Sequence, residues 1–405
     1  MQAAENLTRN MSRHAPLTIA IVANEPSGDQ LGALIARALR ERRPDARFVG
    51  VAGPKMLAEG CGTWLPMERL SVMGFVEVLK ELPRLLPLRR ELRAKLLALK
   101  PDLFLGIDAP DFNLGLERDL RAAGIPTAHL VCPTVWAWRP GRVKAIRRAV
   151  DLMLSIFPFE EDFLRQHQVP ARYIGHPLAD DIPLEVDQAQ ARAAIGLPAA
   201  GSSVTESVVA LLPGSRLSEV ERLADPFIET ALQCQRERPA LRFVVPLVSK
   251  RIRAVFEARL EQLGQGRLQP LLLDGRSREA IAAADIVLTA SGTATLETLL
   301  LKRPMLVGYR VNPLTWALVK GLRLVKVPYA AMANLLVGQE LAPEFLQGRC
   351  NAGEMAPMLL RLLNDAPLRE EIQAAYQRVH QQLRQDAAAR AADALLALIE
   401  APGPA

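Results

Sequence analysis

Short runs of small and β-branched apolar residues alternate along this chain with amphipathic stretches of helical period. Thr18–Ala23, Phe48–Val51, Leu103–Ile107, Thr127–Val131, Leu152–Ile156 and Arg172–Ile174 read as strands. Continuous apolar runs of this length suit strands buried on both faces, as in a parallel sheet. Leu31–Arg42, Leu114–Ala123 and Arg142–Ala149 read as the helices between them. The order is βαβ throughout, which predicts a parallel sheet with helices on both faces.

The alternation stops at Gly175-His176-Pro177-Leu178. From Asp180 to Ser207 there is one short helical stretch, Gln188–Ile195, and then a Gly/Ser/Thr-rich segment that reads as a linker or domain edge. A second series follows, with strands at Val208–Leu212, Phe243–Val245, Leu271–Leu273, Ile286–Thr289 and Pro304–Val307. Pro367–Ile399 is rich in Ala, Gln, Arg and Leu and reads as helical. The expected architecture is α/β: two Rossmann-like, doubly wound domains facing a cleft, at residues 1–180 and 181–365. C-terminal helices at 366–405 are expected to pack back toward the first domain.

Composition narrows the class. The 405 residues are long enough for two cores; half are apolar and 23% are charged. The net charge of +6 is modest, and no nucleic-acid partner is expected. Cys61, Cys132, Cys234 and Cys350 lie far apart, and the five histidines are scattered, so neither a disulfide framework nor a zinc site is expected. No stretch has the continuous apolarity of a membrane span or the form of a signal peptide. The expected place is the cytoplasm.

Chemistry gathers where strands end. Glu25-Pro26-Ser27-Gly28-Asp29 follows the first strand with a flexible backbone and capping oxygens, but without the G-x-G-x-x-G spacing of a dinucleotide site. In Leu212-Pro213-Gly214-Ser215-Arg216, the glycine lets backbone approach a ligand and Arg216 can grip a phosphate. Ser291-Gly292-Thr293-Ala294-Thr295 leads into a helix containing Glu297. Its small residues leave room for a diphosphate on the helix N-terminus, and Glu297 can accept from ribose hydroxyls. Together these two segments describe a nucleotide-diphosphate pocket. Gly106-Ile107-Asp108-Ala109-Pro110-Asp111-Phe112-Asn113 places Asp108 at a strand end as a candidate general base, with Asp111 at a helix cap. Trp136, Trp138 and Arg139 can stack on sugar or lipid and hold a phosphate, core packing being the alternative for Trp136, and His176 is either a cleft residue or a packing residue. Glu160-Glu161-Asp162 reads as a solvated turn.

Apart from that triplet, these segments, with Tyr309-Arg310-Val311 and Asn334-Leu335-Leu336, occur in the same order in the lipid-A-disaccharide synthase family, which the chain resembles from about Leu17 to its C-terminal helices. The resemblance implies a GT-B glycosyltransferase joining UDP-2,3-diacylglucosamine to 2,3-diacylglucosamine 1-phosphate, giving a β-1,6-linked disaccharide and UDP. It implies that Asp108 is the base, that Arg216 is essential and contacts the donor, and that Glu297 and Asn334 line the UDP site. No metal or other cofactor is implied; the UDP-sugar is a substrate. The first turn then belongs to the acceptor or donor-sugar side, with Glu25 facing substrate and Ser27, Gly28 and Asp29 contacting sugar or holding the loop. Asn24, Pro26, Cys132 and Thr134 stand where the family usually has Gly, Ala, Ser and Ser.

Both implied substrates carry acyl chains, so the chain must meet a bilayer, at the inner face of the inner membrane. Phe75–Leu97 carries a run of leucines among Arg84, Arg89, Arg90, Arg93 and Lys95, which suits an anionic surface. Pro83 and Pro87 divide it into two short pieces. The other reading is a helix packed on the first domain with a solvated basic face. Leu314–Val327 is a second candidate. Rival functions are another UDP-sugar transferase, a UDP-sugar epimerase, or a non-catalytic nucleotide or lipid binder. The epimerase has no need of the basic apolar segment, and the binder none of Asp108. The sequence leaves oligomeric state open, a homodimer included.

Overall fold

The computed structural model describes residues 16–70, 75–137, 140–198, 207–312 and 327–401, with Trp316 and Gly321. The chain separates into two compact units, residues 1–180 with 383–405, and residues 181–382.

The first unit runs β1 (Thr18–Ala23), α1 (Pro26–Arg42), β2 (Arg47–Val51), α2 (Pro54–Ala58), β3 (Gly62–Thr63), α3 (Phe75–Leu99), β4 (Leu103–Ile107), α4 (Pro110–Arg121), β5 (Thr127–Leu130), α5 (Val143–Ala149), β6 (Leu152–Ser155), α6 (Pro158–Gln166), β7 (Ala171–Tyr173) and α7 (Pro177–Asp181). Its seven strands lie in the order β3-β2-β1-β4-β5-β6-β7, every pair parallel. β1 and β4 are almost wholly buried, which explains their unbroken apolar runs.

The second unit runs α8 (Gln188–Ala194), β8 (Val208–Leu212), α9 (Leu217–Glu237), β9 (Arg242–Leu247), α10 (Lys250–Gly264), β10 (Leu271–Asp274), α11 (Ser277–Ala283), β11 (Ile286–Thr289), α12 (Thr293–Leu300), β12 (Met305–Tyr309), α13 (Met332–Val337), β13 (Glu344–Leu346), α14 (Ala352–Asn364) and α15 (Ala366–Leu383). Its sheet order is β10-β9-β8-β11-β12-β13, again all parallel. The C-terminal helices divide between the units. α15 lies in the second up to Gln382, whereas α16 (Ala387–Glu400) belongs to the first and is tied to α1 by an Arg42–Asp393 ion pair at 2.5 Å.

Three carboxylates close the N-terminal edges of central strands. Asp102 accepts from the Thr18 amide at 2.8 Å, Asp151 from Thr127 at 3.0 Å, and Asp285 from Val208 at 2.7 Å. Buried backbone donors need such partners, and placing them here leaves the opposite, C-terminal edge for the site.

α3 is one helix rather than two pieces. Pro83 and Pro87 each remove one backbone donor, but burial of Leu88, Leu92 and Leu96 along one stripe holds the turns that follow. Arg84, Arg90 and Arg93 face solvent, with Arg93 paired to Asp119 of α4 at 3.0 Å. Among side chains from residue 84 onward, the packed-helix reading describes this segment. Leu314–Val327 lies almost entirely outside the described residues. No helix among the described residues is long and apolar enough to cross a membrane. All four cysteines are buried and not disulfide-bonded.

Truncating Leu92, which is fully buried, to Ala is expected to cost about 2–5 kcal/mol, whereas Arg90→Ala stays within about 0.5 kcal/mol of the parent. Urea unfolding of both variants checks the assignment; equal effects would mean that the leucine stripe is not the packed face.

Candidate functional site

Each sheet reverses its winding between two strands that are neighbours in space but not in sequence: β1 and β4 in the first unit, β8 and β11 in the second. The connections leave such strands in opposite directions, so a crevice opens at their C-terminal ends. The four segments singled out in the sequence follow these four strands.

In the second unit Thr289 pairs with Leu212, and the Ala290 amide donates to the Leu212 carbonyl at 2.9 Å. The two loops therefore emerge side by side. Gly214 has φ +120°, and a Cβ there would lie 2.7 Å from that of Glu219. Only glycine makes this turn without strain. The Glu219 carboxylate accepts from the amides of Ser215 and Arg216 at 3.2 and 3.3 Å, fixing the start of α9. The Arg216 guanidinium is 72% exposed and meets Glu219 at 3.4 Å. So long and exposed a contact holds the arginine weakly, and it can turn to an anion at little cost.

α12 begins at Thr293, already inside the small-residue segment, with Gly292 as its N-cap at φ +112°. A Cβ built on Gly292 meets no atom within 4 Å. The space beside Gly292 is thus open; the Thr295 amide already donates to the Gly292 carbonyl at 3.0 Å, which leaves the amides of Thr293 and Ala294 without intrahelical acceptors. Ser291 donates to the Ala330 carbonyl at 3.3 Å, and Thr295, buried, donates to that of Gly292 at 2.8 Å. Glu297 is one turn in. Arg278 bridges it at 3.3 Å and also pairs with Asp181.

Asn334 has a different job from the one expected. Its side chain is fully buried. It donates to the Ala342 carbonyl and the Glu344 carboxylate at 2.7 and 2.9 Å, and accepts from the Leu341 and Ala342 amides at 3.0 and 2.8 Å. Glu344 in turn accepts from the amides of Ala330 and Ala331. Asn334 therefore cannot line a UDP pocket directly; it braces the loop against which Ser291 rests. Glu344, the other half of that brace, drew no attention in the sequence because a strand-edge carboxylate has no local signature.

In the first unit Ala23 pairs with Ile107, bringing the turn after β1 beside the turn after β4. α1 begins at Pro26 with Glu25 as N-cap, so Ser27, Gly28 and Asp29 form its first turn rather than a free loop. Glu25 is half-buried and Ser27 exposed. A Cβ added at Gly28 would stand at ordinary van der Waals distance, 3.5 Å, from the side chains of Ala23 and Ile107. Asp29 is buried, and its carboxylate accepts from the amides of Gly53, Lys55 and Met56 at 2.9, 2.9 and 3.0 Å. Of its two expected roles, sugar contact and loop holding, only the second is open to it: it caps α2 from a distance.

Asp108 leaves β4 in left-handed backbone at φ +52°, and Ala109 follows at φ +42°. Its side chain is half-buried at the sheet edge. Asp111, in the first turn of α4 but not at its cap, pairs with Arg142.

A model described as lipid-A-disaccharide synthetase matches residues 19–399. The chain belongs to this family. It is 52% identical over 387 residues to the lipid-A-disaccharide synthase of Pseudomonas aeruginosa strain UCBPP-PA14, covering 95% of this chain and 98% of that one. It is 50% identical to that of Alkalilimnicola ehrlichii, covering 94% and 98%. A glycosyltransferase from Rickettsia africae matches in structure with a TM-score of 0.61 at 10% identity, covering 96% and 100% of the two chains. A UDP-GlcNAc 2-epimerase from Neisseria meningitidis, bound to UDP-GlcNAc, matches with a TM-score of 0.55 at 12% identity, covering 94% and 99%. The structural matches establish the GT-B fold, and the family establishes a glycosyltransferase of lipid A biosynthesis.

The lipid-A-disaccharide synthetase motifs include three further segments. Trp138 and Arg139 lie outside the described residues. Trp136 packs edge-on against Phe159 and donates from Nε1 to Glu160 at 3.0 Å. Glu160 is not in a solvated turn. It is buried, accepts also from the Ile156 and Phe157 amides, and burial pushes its carboxyl up to about 7. Only Asp162 of that triplet is well exposed. Arg310 donates to the Cys350 carbonyl and ties the end of β12 to the turn after β13.

His176 is buried, with Nδ1 accepting from the Leu178 amide at 3.2 Å and its ring tilted on Phe157. Burial pulls its pKa from 6.5 down to about 4. The neutral ring is what the fold holds, so its contribution is complete above pH 6.5 and is lost as pH falls through 4. The shift corresponds to about 3 kcal/mol of stability. His176→Asn keeps an acceptor for Leu178, and urea unfolding between pH 7 and 4 should show a flatter loss of stability than in the parent. Parallel pH profiles would remove His176 as the source.

Proposed function

We propose that the chain transfers the 2,3-diacylglucosamine group of UDP-2,3-diacylglucosamine to the 6-hydroxyl of 2,3-diacylglucosamine 1-phosphate, releasing UDP. The observation that carries the reading is the pairing of motif loops at both switch points: Asp108 beside the Glu25 turn in one unit, Arg216 beside the open α12 N-terminus in the other.

Asp108 takes the proton of the acceptor hydroxyl. That oxygen forms a bond to the anomeric carbon as the bond from this carbon to the UDP oxygen breaks, with inversion to the β-1,6 linkage. Negative charge develops on the diphosphate, where Arg216 and the first-turn amides of α12 stabilise it. Gly214 and Gly292 let backbone come close. Glu297 accepts from ribose hydroxyls, and Arg278 offsets its charge so that a second anion can bind nearby. Glu25 and Ser27 lie on the sugar side of the first unit. No step calls for a metal ion.

The acyl chains of both substrates require a membrane surface. We assign that contact to the solvent-facing arginines of α3, at the inner face of the inner membrane. Because Leu88, Leu92 and Leu96 are already buried within the unit, the attraction from residue 84 onward is electrostatic and sensitive to salt.

UDP release from UDP-2,3-diacylglucosamine should depend on acceptor. Asp108→Asn should lower kcat by about 10²- to 10⁴-fold while UDP still binds; near-normal turnover would rule Asp108 out as base. In vesicle flotation, exchanging Arg89, Arg90 and Arg93 for Glu should abolish retention on anionic vesicles. Unchanged retention would remove this face as the docking surface.

A further inference from the structure

We propose that Asn113, Glu117 and His129 are positioning residues that hold Asp108 in its reactive orientation, an inference that rests on the reading of Asp108 as base. The three side chains are fully buried in the first unit. Asn113 sits at the Asp108 turn, and one helical turn on Glu117 pairs with His129 of the sheet, so the three make a polar ladder along the buried face of α4.

Asn113, in the first turn of α4, donates from Nδ2 to the carbonyls of Ile107 and Asp108 at 3.2 and 2.9 Å. It thus grips the chain on both sides of the peptide that leads into the base. Glu117 lies one turn further along the same helix face. Its Oε1 meets Nδ1 of His129 at 2.7 Å, and His129 sits on β5 opposite Gly106 of β4. A Cβ on Gly106 would come within 2.1 Å of Glu117 Oε1 and 3.0 Å of Asn113 Cβ. The glycine in Gly106-Ile107-Asp108 is there to let this ladder reach the sheet.

The local backbone needs such a brace. Asp108, Ala109 and, on the neighbouring strand end, Val131 all have positive φ, at +52°, +42° and +75°. Ile107 pairs with Leu130, so Asp108 and Val131 leave the sheet side by side. Non-glycine residues in this region are strained and are held only where their surroundings over-determine them. A polar ladder is an expensive way to pack a helix on a sheet. Glu117 Oε2 and His129 Nε2 have no hydrogen-bond partner among the described residues, and an apolar pair would avoid that penalty. The cost becomes intelligible if the ladder sets the direction of α4 and, through Asn113, the turn that aims Asp108.

The test is a set of double-mutant cycles on the full chain, read as kcat and KM for acceptor-dependent UDP release. Asn113→Ala and Glu117→Ala should each lower kcat about 10- to 100-fold, the size expected for misplacement of about 1 Å, with KM for the UDP donor within about twofold. Glu117→Gln, which keeps an acceptor for His129, should restore most of kcat. In the Asp108→Asn background the same substitutions should change the residual rate by less than about twofold, because residues acting through one group are not additive. Full, multiplicative losses in that background, or an unchanged kcat in Asn113→Ala, would overturn the proposal while leaving Asp108 as base. Normal turnover by Asp108→Asn alone would instead sink the base assignment, and the positioning role with it. Should Glu117→Ala not fold, the isosteric Asn113→Asp carries the test. It lacks the amide donor, so it should match Asn113→Ala, and wild-type kcat would refute the role.

Discussion

The constraint on which everything else depends is the all-parallel sheet. A parallel strand buried on both faces can offer nothing to a substrate along its length, since its side chains are core and its backbone groups are paired. Chemistry is confined to the sheet edge where strands hand over to helices. The N-terminal edge is already closed by Asp102, Asp151 and Asp285 on the leading amides of β1, β5 and β8. What remains is the C-terminal edge, and there the winding reversal leaves a gap in each unit, between β1 and β4 and between β8 and β11. Four loops, two per gap, hold Glu25, Asp108, Arg216 and the α12 N-terminus. None of them could move to another strand pair without losing its neighbour.

Polar side chains that bond to backbone within their own unit keep these and the neighbouring loops in shape. Asp29 takes three amides of the chain entering α2, Glu160 takes two amides and an indole, Glu219 takes the amides of Ser215 and Arg216, and Glu344 with Asn334 takes the loop beside Ser291. The pattern is a carboxylate on one element satisfying backbone donors of another. Each such bond contributes a modest net amount to stability, about 1.5–3 kcal/mol for a charged acceptor, but its geometry is directional, unlike apolar packing. Loops at a sheet edge have little apolar surface to anchor them, so direction must come from hydrogen bonds.

This division explains what was legible in the sequence. The strands β1, β4, β5, β8 and β11 were readable because burial on both faces writes an unbroken apolar run, and the glycine turns at 214 and 292 because positive φ leaves few alternatives. The braces were not readable. Asp29 and Asn334 look like exposed loop residues of a binding motif, yet their partners are 24 to 27 and 7 to 10 residues away, a spacing fixed only by the fold. Glu160 reads as solvent-facing because Glu161 and Asp162 follow it; the helical period, which turns one of three neighbours inward, is the signal that places it inside. A similar clue was present for the ladder. In Pro110–Arg121, Asn113 and Glu117 fall on the same stripe as Leu116 and Leu120, and a polar residue on an apolar stripe announces a buried partner.

The charges at the two switch points follow from the same economy. Where a group must stay put, the fold surrounds it, as with Asp29 and Asn334, whose hydrogen-bonding positions are filled from within their own unit. Where a group must respond to an anion that comes and goes, the fold holds it loosely. Arg216 is exposed on a long contact to Glu219, and Arg278 is shared between Glu297 and Asp181. A tightly buried arginine would have to break a strong pair before gripping a diphosphate, and that cost would be subtracted from every binding event. Asp108 stands between these cases. Its carboxylate stands at the half-exposed edge while its backbone is clamped by Asn113, so the side chain proposed as base is accessible and the chain that carries it is held.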